Sequence, residues 1–363
     1  MSEEEKDIFF LKECLKLAKR GLNHTFPNPL VGAVIVKNGR IIGKGYHKKF
    51  GFPHAEISAL NSTKEGPKGA SLYVNLEPCC HFGKTPPCVR EIIRAGIKRV
   101  VCSTLDPNPK VNGKGIEILK KANIETKVGL LEKPAKALNE GYFTFWEKKR
   151  PFVAIKFASS LDGKIATKLK VSKWITNEKA RNYGKKLRLF YQAILVGVNT
   201  IIEDDPHLGV REKGKRDPIR IILDPFLKIP LKSNVLTKNN VILVISKFAK
   251  REKLKKIEKL KIPYLLYQRT KFSISRLLED LWKREIISIL VEGGGETIGS
   301  FFDEKIVDRI YAFYSPIIIG GRNAVSAVSG EGAKTLREAF YFQKLSFKRF
   351  GNNFLIIGDY KND

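Results

Sequence analysis

Side chains that bind metals are concentrated between residues 54 and 88. The segments HAE (54–56) and LEPCCHFGKTPPC (76–88) hold two histidines, three cysteines and a glutamate close to the first histidine. Imidazole and thiolate are ligands that zinc prefers, and a zinc ion with three protein ligands keeps a position open for water. Because the bound water loses a proton near neutral pH, the cluster predicts hydrolytic chemistry assisted by a carboxylate.

The spacing follows the signature of zinc deaminases in part. That signature is His-x-Glu followed by Pro-Cys-x-x-Cys, and its glutamate moves protons without binding the metal. His54, Glu56 and Cys79 match it, whereas Phe82 stands where the second cysteine is expected. Glu56 is therefore the predicted catalytic proton shuttle, and the third ligand has to come from elsewhere.

Three residues compete for the place of third ligand: Cys80, His81 and Cys88. Cys80 adjoins Cys79, so their side chains project differently and joint ligation is awkward. Cys88 follows two prolines at a predicted helix start, where the helix dipole favours a thiolate. We predict one zinc ion per chain, held by His54, Cys79 and Cys88.

A closed zinc site that only stabilises the fold is the alternative. It would need a fourth ligand, for which His81 is the only local candidate, and Glu56 would then be an ordinary helix residue. Cys14 and Cys102 lie in apolar runs and are expected in the core. Three of the five cysteines are crowded together, unlike the evenly spread disulfide framework of small secreted proteins.

The first half alternates between helix and strand patterns. Residues 5–21 have apolar side chains at helical spacing and stop at a glycine. Asn38-Gly39 joins two apolar runs, which is a strong hairpin signal. A helix from His54, a buried strand over ASLYVNLEP, a helix over PPCVREIIRAGI, a strand over KRVVCSTLDPNP and a helix over VNGKGIEILKKANI follow. This order predicts one α/β domain, residues 1–147.

A second domain, residues 148–363, is predicted after the charged stretch before Pro151. Its predicted strands are PFVAIKFA, QAILVGVNT, PIRIILDP, NVILVIS, SILVEGGG and VDRIYAFYSPIII. Its predicted helices cover NEKARNYGKKLRLFY, SISRLLEDLWKR and ETIGSFFDEK. The alternation again indicates an α/β sheet domain.

The segment VEGGGETIGSFF (291–302) runs from a buried strand through three glycines into a helix. Backbone N–H groups at such a helix start can face a pyrophosphate at close range. The glycine spacing is not that of the Rossmann fingerprint, and the unit lies late in its domain. A tight turn without a ligand is the alternative.

The net charge of +30 favours anionic partners. The excess is spread over both halves, and its densest run, residues 247–261, fits a solvated helix face. We therefore expect small anionic molecules and not nucleic acid. The N-terminus is acidic and then amphipathic, without a long apolar run, so no signal peptide or membrane span is expected and the protein should be cytoplasmic.

The segments NPLVGAVIV (28–36), HAE and LEPCxHxGKTPPC resemble the deaminase domain of the bifunctional deaminase/reductase of riboflavin biosynthesis. The long spacing between the two cysteines separates this family from tRNA-adenosine and cytidine deaminases. The resemblance implies a phosphorylated pyrimidine substrate, a diaminopyrimidinone ribosylamino phosphate whose ring amino group leaves as ammonia. It also implies substrate contacts at Asn28, His47 and Lys84.

The segments FASSLDGKIA (157–166), SKWIT (172–176), GVNTIIEDDPHL (197–208) and VEGGG resemble the reductase domain of the same family. The resemblance implies a cytidine-deaminase-like zinc domain followed by a dihydrofolate-reductase-like α/β domain. It further implies that NADPH supplies a hydride that converts the ribosyl group to ribityl, and we expect a homo-oligomer.

The reductase residues carried over from this resemblance form two sets. The cofactor set is Ala158, Trp174, Thr200, Asp204, Gly294, Gly295, Glu296, Thr297 and Ile298. The substrate set is Lys156, Ser172, Arg188, Leu208, Arg211 and Glu292. Forked arginine donors suit a phosphate and the flat indole of Trp174 suits a ring, although Trp174 could equally be a core anchor. The chain departs from the family at Gly209, where a threonine is usual.

Two other functions, and the loss of one of the two activities, are the alternatives. A nucleic-acid deaminase would predict a short Cys-x-x-Cys, which the sequence lacks. A non-catalytic zinc protein would tolerate replacement of Glu56. Loss of activity in one domain is opposed by the intact Glu56 and VEGGG.

Overall fold

Each half of the chain builds its own sheet. In the computed structural model, which describes residues 1–83, 86–238 and 240–360, the chain divides into two units, Met1–Lys149 and Arg150–Asp363. None of the helices in these ranges combines the length and the apolar character that a bilayer crossing needs.

The first unit has a five-stranded sheet in the order β2-β1-β3-β4-β5. The strands are β1 Gly32–Lys37, β2 Arg40–Tyr46, β3 Ser71–Val74, β4 Arg99–Cys102 and β5 Glu125–Val128. β1 is antiparallel to β2 and β3, whereas β3, β4 and β5 are parallel. The hairpin predicted at Asn38-Gly39 is confirmed, and both residues have the positive φ that its tight turn requires.

Within residues 1–83 and 86–149, six α-helices surround this sheet: α1 Glu3–Ala18, α2 Ala55–Leu60, α3 Cys88–Arg94, α4 Lys114–Lys121, α5 Glu132–Leu138 and α6 Glu140–Lys148. A capping box formed by Ser2 and Glu5 starts α1. Cys14 and Cys102 are buried, as predicted. The strand predicted over ASLYVNLEP is only four residues long, and β5, α5 and α6 were not predicted.

Helix α2 lies directly against strand β2. A Cβ atom at Gly45 would stand 2.3 Å from Ala59 N and 2.4 Å from Ala55 O, and one at Gly43 would stand 2.6 Å from Ala59 O. These atoms belong to the helix backbone and cannot rotate aside. The two glycines therefore set the distance between helix and sheet.

The second unit has a nine-stranded sheet in the order β11-β10-β9-β8-β12-β6-β13-β16-β15. Its strands are β6 Phe152–Ser160, β8 Ala193–Gly197, β9 Ile219–Leu223, β10 Val241–Ser246, β11 Tyr264–Tyr267, β12 Ser288–Gly293, β13 Arg309–Ser315, β15 Lys344–Phe350 and β16 Asn353–Asp359. A separate pair joins β7 Lys164–Ala166 to β14 Val325–Ser326. The strands from β11 to β13 are parallel, and β16 and β15 add two antiparallel pairings at one edge.

In the described part of the second unit, five α-helices cover the two faces of this sheet: α7 Glu178–Leu187, α8 Val198–Asp204, α9 Arg251–Lys259, α10 Ile274–Trp282 and α11 Gly295–Asp303. Alternate residues of each strand point to opposite faces, so Val153 and Ile155 pack with α10 and α11 while Ala154 packs with α7. The buried parallel strands are the apolar runs that the sequence predicted. The last residues of QAILVGVNT begin α8 and are not strand, and β7, β11, β14, β15 and β16 were not predicted.

Replacing Gly45 by alanine should destabilise the first unit by about 1–3 kcal/mol, because a methyl group would press on the α2 backbone. Urea-induced unfolding of the full chain checks this. Gly66→Ala is the matched control, since a Cβ there meets no atom within 4 Å. Equal stability of the two variants would contradict the proposed role of the close contact.

Candidate active sites

Three metal-binding side chains meet at one end of the first sheet. His54 precedes α2, Cys79 follows β3 and Cys88 is the first residue of α3. His54 Nδ1 lies 3.4 Å from the Sγ atom of each cysteine, and the three donor atoms lie within 4.8 Å of one another. Tetrahedral zinc with Zn–S bonds of about 2.3 Å and Zn–N bonds of about 2.0 Å separates its ligands by about 3.5–3.8 Å. The donor types and their spacing therefore fit zinc.

Cys80 and His81 are not members of this donor group. Cys80 points its thiol to the carbonyl oxygen of Lys110 at 3.4 Å. The start of α3 instead turns Cys88 toward Cys79, whose sulfur accepts the Cys88 backbone N–H at 3.4 Å. The structure thus brings together the three predicted ligands and leaves the two competing residues outside.

One of the donors, Cys79, is favoured in the form that binds metal. A hydrogen bond with the Cys88 thiol, and then one with the His54 ring, hold the pKa of Cys79 well below its ordinary value in spite of burial. Thiolate is the form of cysteine that binds metals.

Glu56 lies in the first turn of α2 and is 3% exposed. Burial raises the pKa of Glu56 to about 7. A carboxyl group that titrates near neutral pH can both accept a proton and return it, which is what general acid–base catalysis requires.

Asn28 and His47 lie beside the donor group, and the His47 ring centre is 5.4 Å from that of His54. His47 Nδ1 is 3.2 Å from the carbonyl oxygen of Pro53, so Nδ1 carries the proton. His47 Nε2 then accepts from the Asn28 amide at 3.1 Å. Burial lowers the pKa of His47, which keeps its ring neutral. The third predicted substrate contact, Lys84, lies outside the described residues.

A buried acid that the sequence alone did not reveal lies four residues beyond the end of β4. Asp106 is 6% exposed, and it accepts hydrogen bonds from the Tyr142 hydroxyl at 3.0 Å and the Asn108 N–H at 2.8 Å. Burial, with contributions from the charges of Glu77 and then Cys79, raises its pKa to about 7. The available signal was a carboxylate within the predicted strand segment KRVVCSTLDPNP.

Two buried asparagines fix the segment that carries Asn28. Asn139 Oδ1 accepts the Leu30 N–H at 2.7 Å, and its Nδ2 donates to the Leu30 carbonyl at 3.0 Å. Asn75 donates to the same carbonyl at 3.0 Å and accepts the Gly32 N–H at 2.7 Å. Asn139 lies between α5 and α6. A residue near the end of the first unit therefore fixes the segment that carries Asn28.

The second unit has a cavity of about 290 Å³ beside the carboxyl ends of β6 and β12. Residues from both predicted sets line it: Lys156, Ala158, Ser172, Trp174, Arg188, Asp204, Glu292, Gly294 and Ile298. Thr200 lies next to it, because a Cβ at Gly293 would stand 3.0 Å from Thr200 Oγ1.

Charged groups inside the cavity are paired. Arg188 donates from Nε and Nη2 to the two oxygens of Glu292, each at 2.8 Å, and from Nη1 to the Gly209 carbonyl at 2.9 Å. Lys156 Nζ is 4.0 Å from Glu292. Burial alone would raise the pKa of Glu292, but Arg188 and then Lys156 hold it below its ordinary value. Glu292 therefore stays ionised between two cations.

Trp174 is not a core anchor. Its side chain is 69% exposed, and the Arg181 guanidinium stacks 4.4 Å from the ring centre. An exposed indole at the rim of a cavity can cover a flat ligand.

The glycine segment also has a packing role. Gly294 has a φ of 65°, and a Cβ at Gly295 or Gly299 would stand 2.3 Å from Ser326 O or 2.0 Å from Ser329 O. The start of α11 therefore requires glycine for close approach to the chain at 326–329. Thr297 lies at the same turn, with Oγ1 2.7 Å from a Cβ placed on Gly197.

Two predicted substrate residues do not line this cavity. Leu208 is buried in the core with Ile201 and Ile222. Arg211 lines a different hollow of about 500 Å³, together with His207, Lys215, Arg216 and Lys238. Gly209 lies between these two residues in the sequence. A Cβ at Gly209 would stand 2.5 Å from the His207 ring and 2.6 Å from Asp217 Oδ1, so a threonine there would displace these side chains.

Both halves match known families. Residues 4–104 match the cytidine and deoxycytidylate deaminase zinc-binding region, and residues 151–356 match the RibD C-terminal domain. The riboflavin biosynthesis protein RibD of Aquifex aeolicus is 44% identical, over 97% of this chain and 98% of its own length. The protein of the same name from Bacillus amyloliquefaciens is 41% identical over 94% and 93%.

Solved structures agree along the whole chain. The structure of a diaminohydroxyphosphoribosylaminopyrimidine deaminase/5-amino-6-(5-phosphoribosylamino)uracil reductase from Thermotoga maritima is 38% identical, with a TM-score of 0.86 and 99% of each chain covered. Acinetobacter baumannii RibD is 34% identical with a TM-score of 0.89, over 98% of this chain and 99% of its own.

Replacing Asn139 by alanine should destabilise the first unit by about 1–3 kcal/mol, because the buried Leu30 N–H loses its acceptor. Urea-induced unfolding gives the difference. Asn182→Ala, at an exposed position of α7, is the control and should leave stability unchanged. If Asn139→Ala were as stable as the control, the hydrogen bonds between Asn139 and Leu30 would contribute nothing to the free energy of unfolding.

Proposed function

Since the chain belongs to the RibD family of bifunctional deaminase/reductases of riboflavin biosynthesis, we propose that it converts one phosphorylated pyrimidine in two consecutive steps. Residues 1–147 hydrolyse the ring amino group of a diaminopyrimidinone ribosylamino phosphate and release ammonia. Residues 148–363 then reduce the ribosyl group of that product to ribityl with NADPH. The observation that carries the proposal is the donor group of His54, Cys79 and Cys88 beside the buried Glu56.

His54, Cys79 and Cys88 would hold one zinc ion per chain. When bound, zinc lowers the pKa of its water toward ~7 and so supplies the nucleophile of the hydrolysis. Glu56 would take one proton from the attacking water and give it to the ring nitrogen, and would then carry the proton of the new hydroxyl group to the amino group, which leaves as ammonia. The raised pKa of Glu56 supports both directions of transfer.

Neutral His47 and the Asn28 amide hold the pyrimidine ring over this centre. Their mutual hydrogen bond and the link from His47 to Pro53 lock both side chains in place. Lys84 is a third proposed contact, for the phosphate or the ring. This arrangement would orient the substrate before the proton moves.

In the reductase, the cofactor would be held by Ala158, Trp174, Thr200, Asp204 and residues 294–298. NADPH supplies a hydride to the sugar C1′. The exposed indole of Trp174 and the backbone N–H groups at the start of α11 offer a ring platform and an anion site. Ser172, which lines the cavity, is a proposed substrate contact. Leu208 and Arg211, which the resemblance also implies, lie outside this cavity.

Lys156, Arg188 and Glu292 form the proposed polar centre of the reductase. The ring oxygen of the sugar needs a proton as C1′ accepts hydride, and Lys156 is a cationic donor that lines the cavity beside Glu292. Burial lowers the pKa of Lys156, which makes proton release easier. Three donors of Arg188 are engaged by Glu292 and Gly209, so its role in this arrangement is to hold Glu292 and the chain at 209.

Cys88→Ser should remove zinc, whereas Cys80→Ser should retain it. The physical reason is that the Cys88 sulfur belongs to the donor group, while the Cys80 thiol is directed to Lys110. Metal content per chain, measured by plasma mass spectrometry after dialysis, separates the two variants. Retention of zinc by Cys88→Ser together with its loss from Cys80→Ser would reverse the ligand assignment.

Glu56→Gln should lower deamination by about 10²–10⁴-fold, since an amide cannot carry the proton. Mass spectrometry of the diaminopyrimidinone substrate follows amino-to-oxo conversion without cofactor and the gain of two hydrogens with NADPH. Supplied with the deaminated intermediate, the variant should still reduce it. Glu117→Gln, at an exposed site in the first turn of α4, is the control. Full deamination by zinc-loaded Glu56→Gln would exclude the proposed proton shuttle.

A further inference from the structure

Glu77 is a buried acid that the proposed reaction does not use. It precedes the zinc-site residue Cys79 by two positions and is 3% exposed. Its backbone N–H donates to the Thr104 carbonyl at 3.0 Å, so it lies just beyond the carboxyl ends of β3 and β4. Acidic side chains are almost never buried so deeply unless they are paired. The partners of Glu77 therefore indicate its role.

Three backbone N–H groups surround the Glu77 carboxylate. Oε2 accepts from Asp106 at 3.1 Å and from Gly113 at 2.9 Å, and Oε1 accepts from Ile116 at 3.2 Å. The donors all lie in the segment 106–116, which leads from β4 into α4. Glu77 thus joins the segment that carries Cys79 to a segment 29–39 positions further along the chain.

Two of these donors belong to the start of α4. Gly113 stands directly before the helix and Ile116 is its third residue, and N–H groups at these positions have no acceptor within a helix. Because Gly113 has no side chain, it cannot supply the usual cap. The carboxylate of Glu77 takes that place, and the helix dipole favours a negative charge there.

Helix α4 also touches the residue that precedes Cys79. A Cβ at Gly115 would stand 2.3 Å from the Pro78 carbonyl oxygen and 3.1 Å from Glu77 Oε1. The carbonyl belongs to the main chain and cannot rotate aside. Glycine is therefore required at position 115, and the start of α4 lies directly against the chain that leads to Cys79.

Cys79 needs such support more than the other two donors. Cys88 is the first residue of α3 and His54 stands directly before α2, so a helix places each of them. Cys79 belongs to neither a helix nor a strand. Its position is set by the contacts of its neighbours in the chain.

We propose that Glu77 is a positioning residue for the deamination: by capping α4 it fixes the sulfur of Cys79 relative to His54 and Cys88. The inference rests on the proposed function, because Glu77 acts through the zinc site. Groups that orient metal ligands typically account for about 10–100-fold in metal affinity. Glu77 exerts this effect through the main chain, by holding the segment 77–79 against the segment 106–116.

Glu77→Gln tests this role at constant side-chain size. The amide has an NH2 group in place of one oxygen, and either orientation turns that group toward a backbone N–H of the segment 106–116. The zinc affinity of the full chain, measured by competition with a chromophoric chelator, should fall about 10–100-fold. Glu117→Gln, at an exposed position in the first turn of α4, is the matched control and should bind zinc like the wild type.

A second control separates positioning from a general loss of stability. Asp7→Asn weakens the buried ion pair of Asp7 with Arg99, the first residue of β4, at the end of that strand opposite to Thr104. This variant should lower the stability of the first unit and leave its zinc affinity unchanged. Urea-induced unfolding gives the loss of stability in each variant.

Cobalt in place of zinc reports on the donors themselves. The absorption of a cobalt centre with thiolate ligands depends on the arrangement of those ligands. A displaced Cys79 sulfur should therefore change the absorption spectrum of cobalt-loaded Glu77→Gln. The spectra of cobalt-loaded Glu117→Gln and Asp7→Asn should match that of the wild type.

If Glu77→Gln matched Glu117→Gln in zinc affinity and in cobalt absorption, the inference would be overturned while the proposed function stood. An equal loss of zinc affinity in Asp7→Asn would also overturn it, since stability alone would then explain the effect. A wild type that binds no zinc would overturn the proposed function, and the role of Glu77 with it.

Discussion

The close contact between α2 and β2 decides where the chemistry of the first unit takes place. His54 and Glu56 are carried by one short helix, and its distance from the sheet is set by backbone atoms that pass over Gly43 and Gly45. Because atoms of the main chain meet there, the contact leaves no side chain that could adjust. The position of the imidazole relative to Cys79 and Cys88 depends on this contact.

Burial then gives these residues their reactivity. Glu56 is removed from water without a full set of compensating charges, and its pKa rises to about 7. The buried acid of the second unit, Glu292, has a pKa shifted in the opposite direction. Glu292 lies between Arg188 and Lys156, which keep it ionised. Removing one partner of such a group leaves a buried charge uncompensated, so the three side chains depend on one another.

The larger sheet is covered in its middle but exposed at one edge. Parallel strands in the middle of the larger sheet are covered on both faces by helices, as their apolar sequences require. At its last strand the sheet ends on the segment KLSFKRF, whose first six residues are exposed and which carries three basic side chains.

The sequence by itself determined the types of the chemical groups and the elements with strong local patterns. The spacing of His54, Glu56, Cys79 and Cys88 indicated a zinc site, and the apolar runs predicted the parallel strands, because both signals lie within short stretches of chain. β15 escaped prediction, since a strand exposed on both faces has no apolar period to reveal it. The functional roles of individual residues in the reductase rested on resemblance alone.

The tertiary structure decided which distant residues meet. Arg188 and Glu292 are 104 positions apart, and Asn139 reaches back 109 positions to Leu30. These partners depend on the order of strands in a sheet and on which face each side chain occupies. Hydrophobic periodicity specifies a face, but strand order results from the packing of the whole unit. The identity of the proposed ligating and proton-carrying residues was therefore local information, whereas their charge states and the side chains that hold them in place depend on the fold.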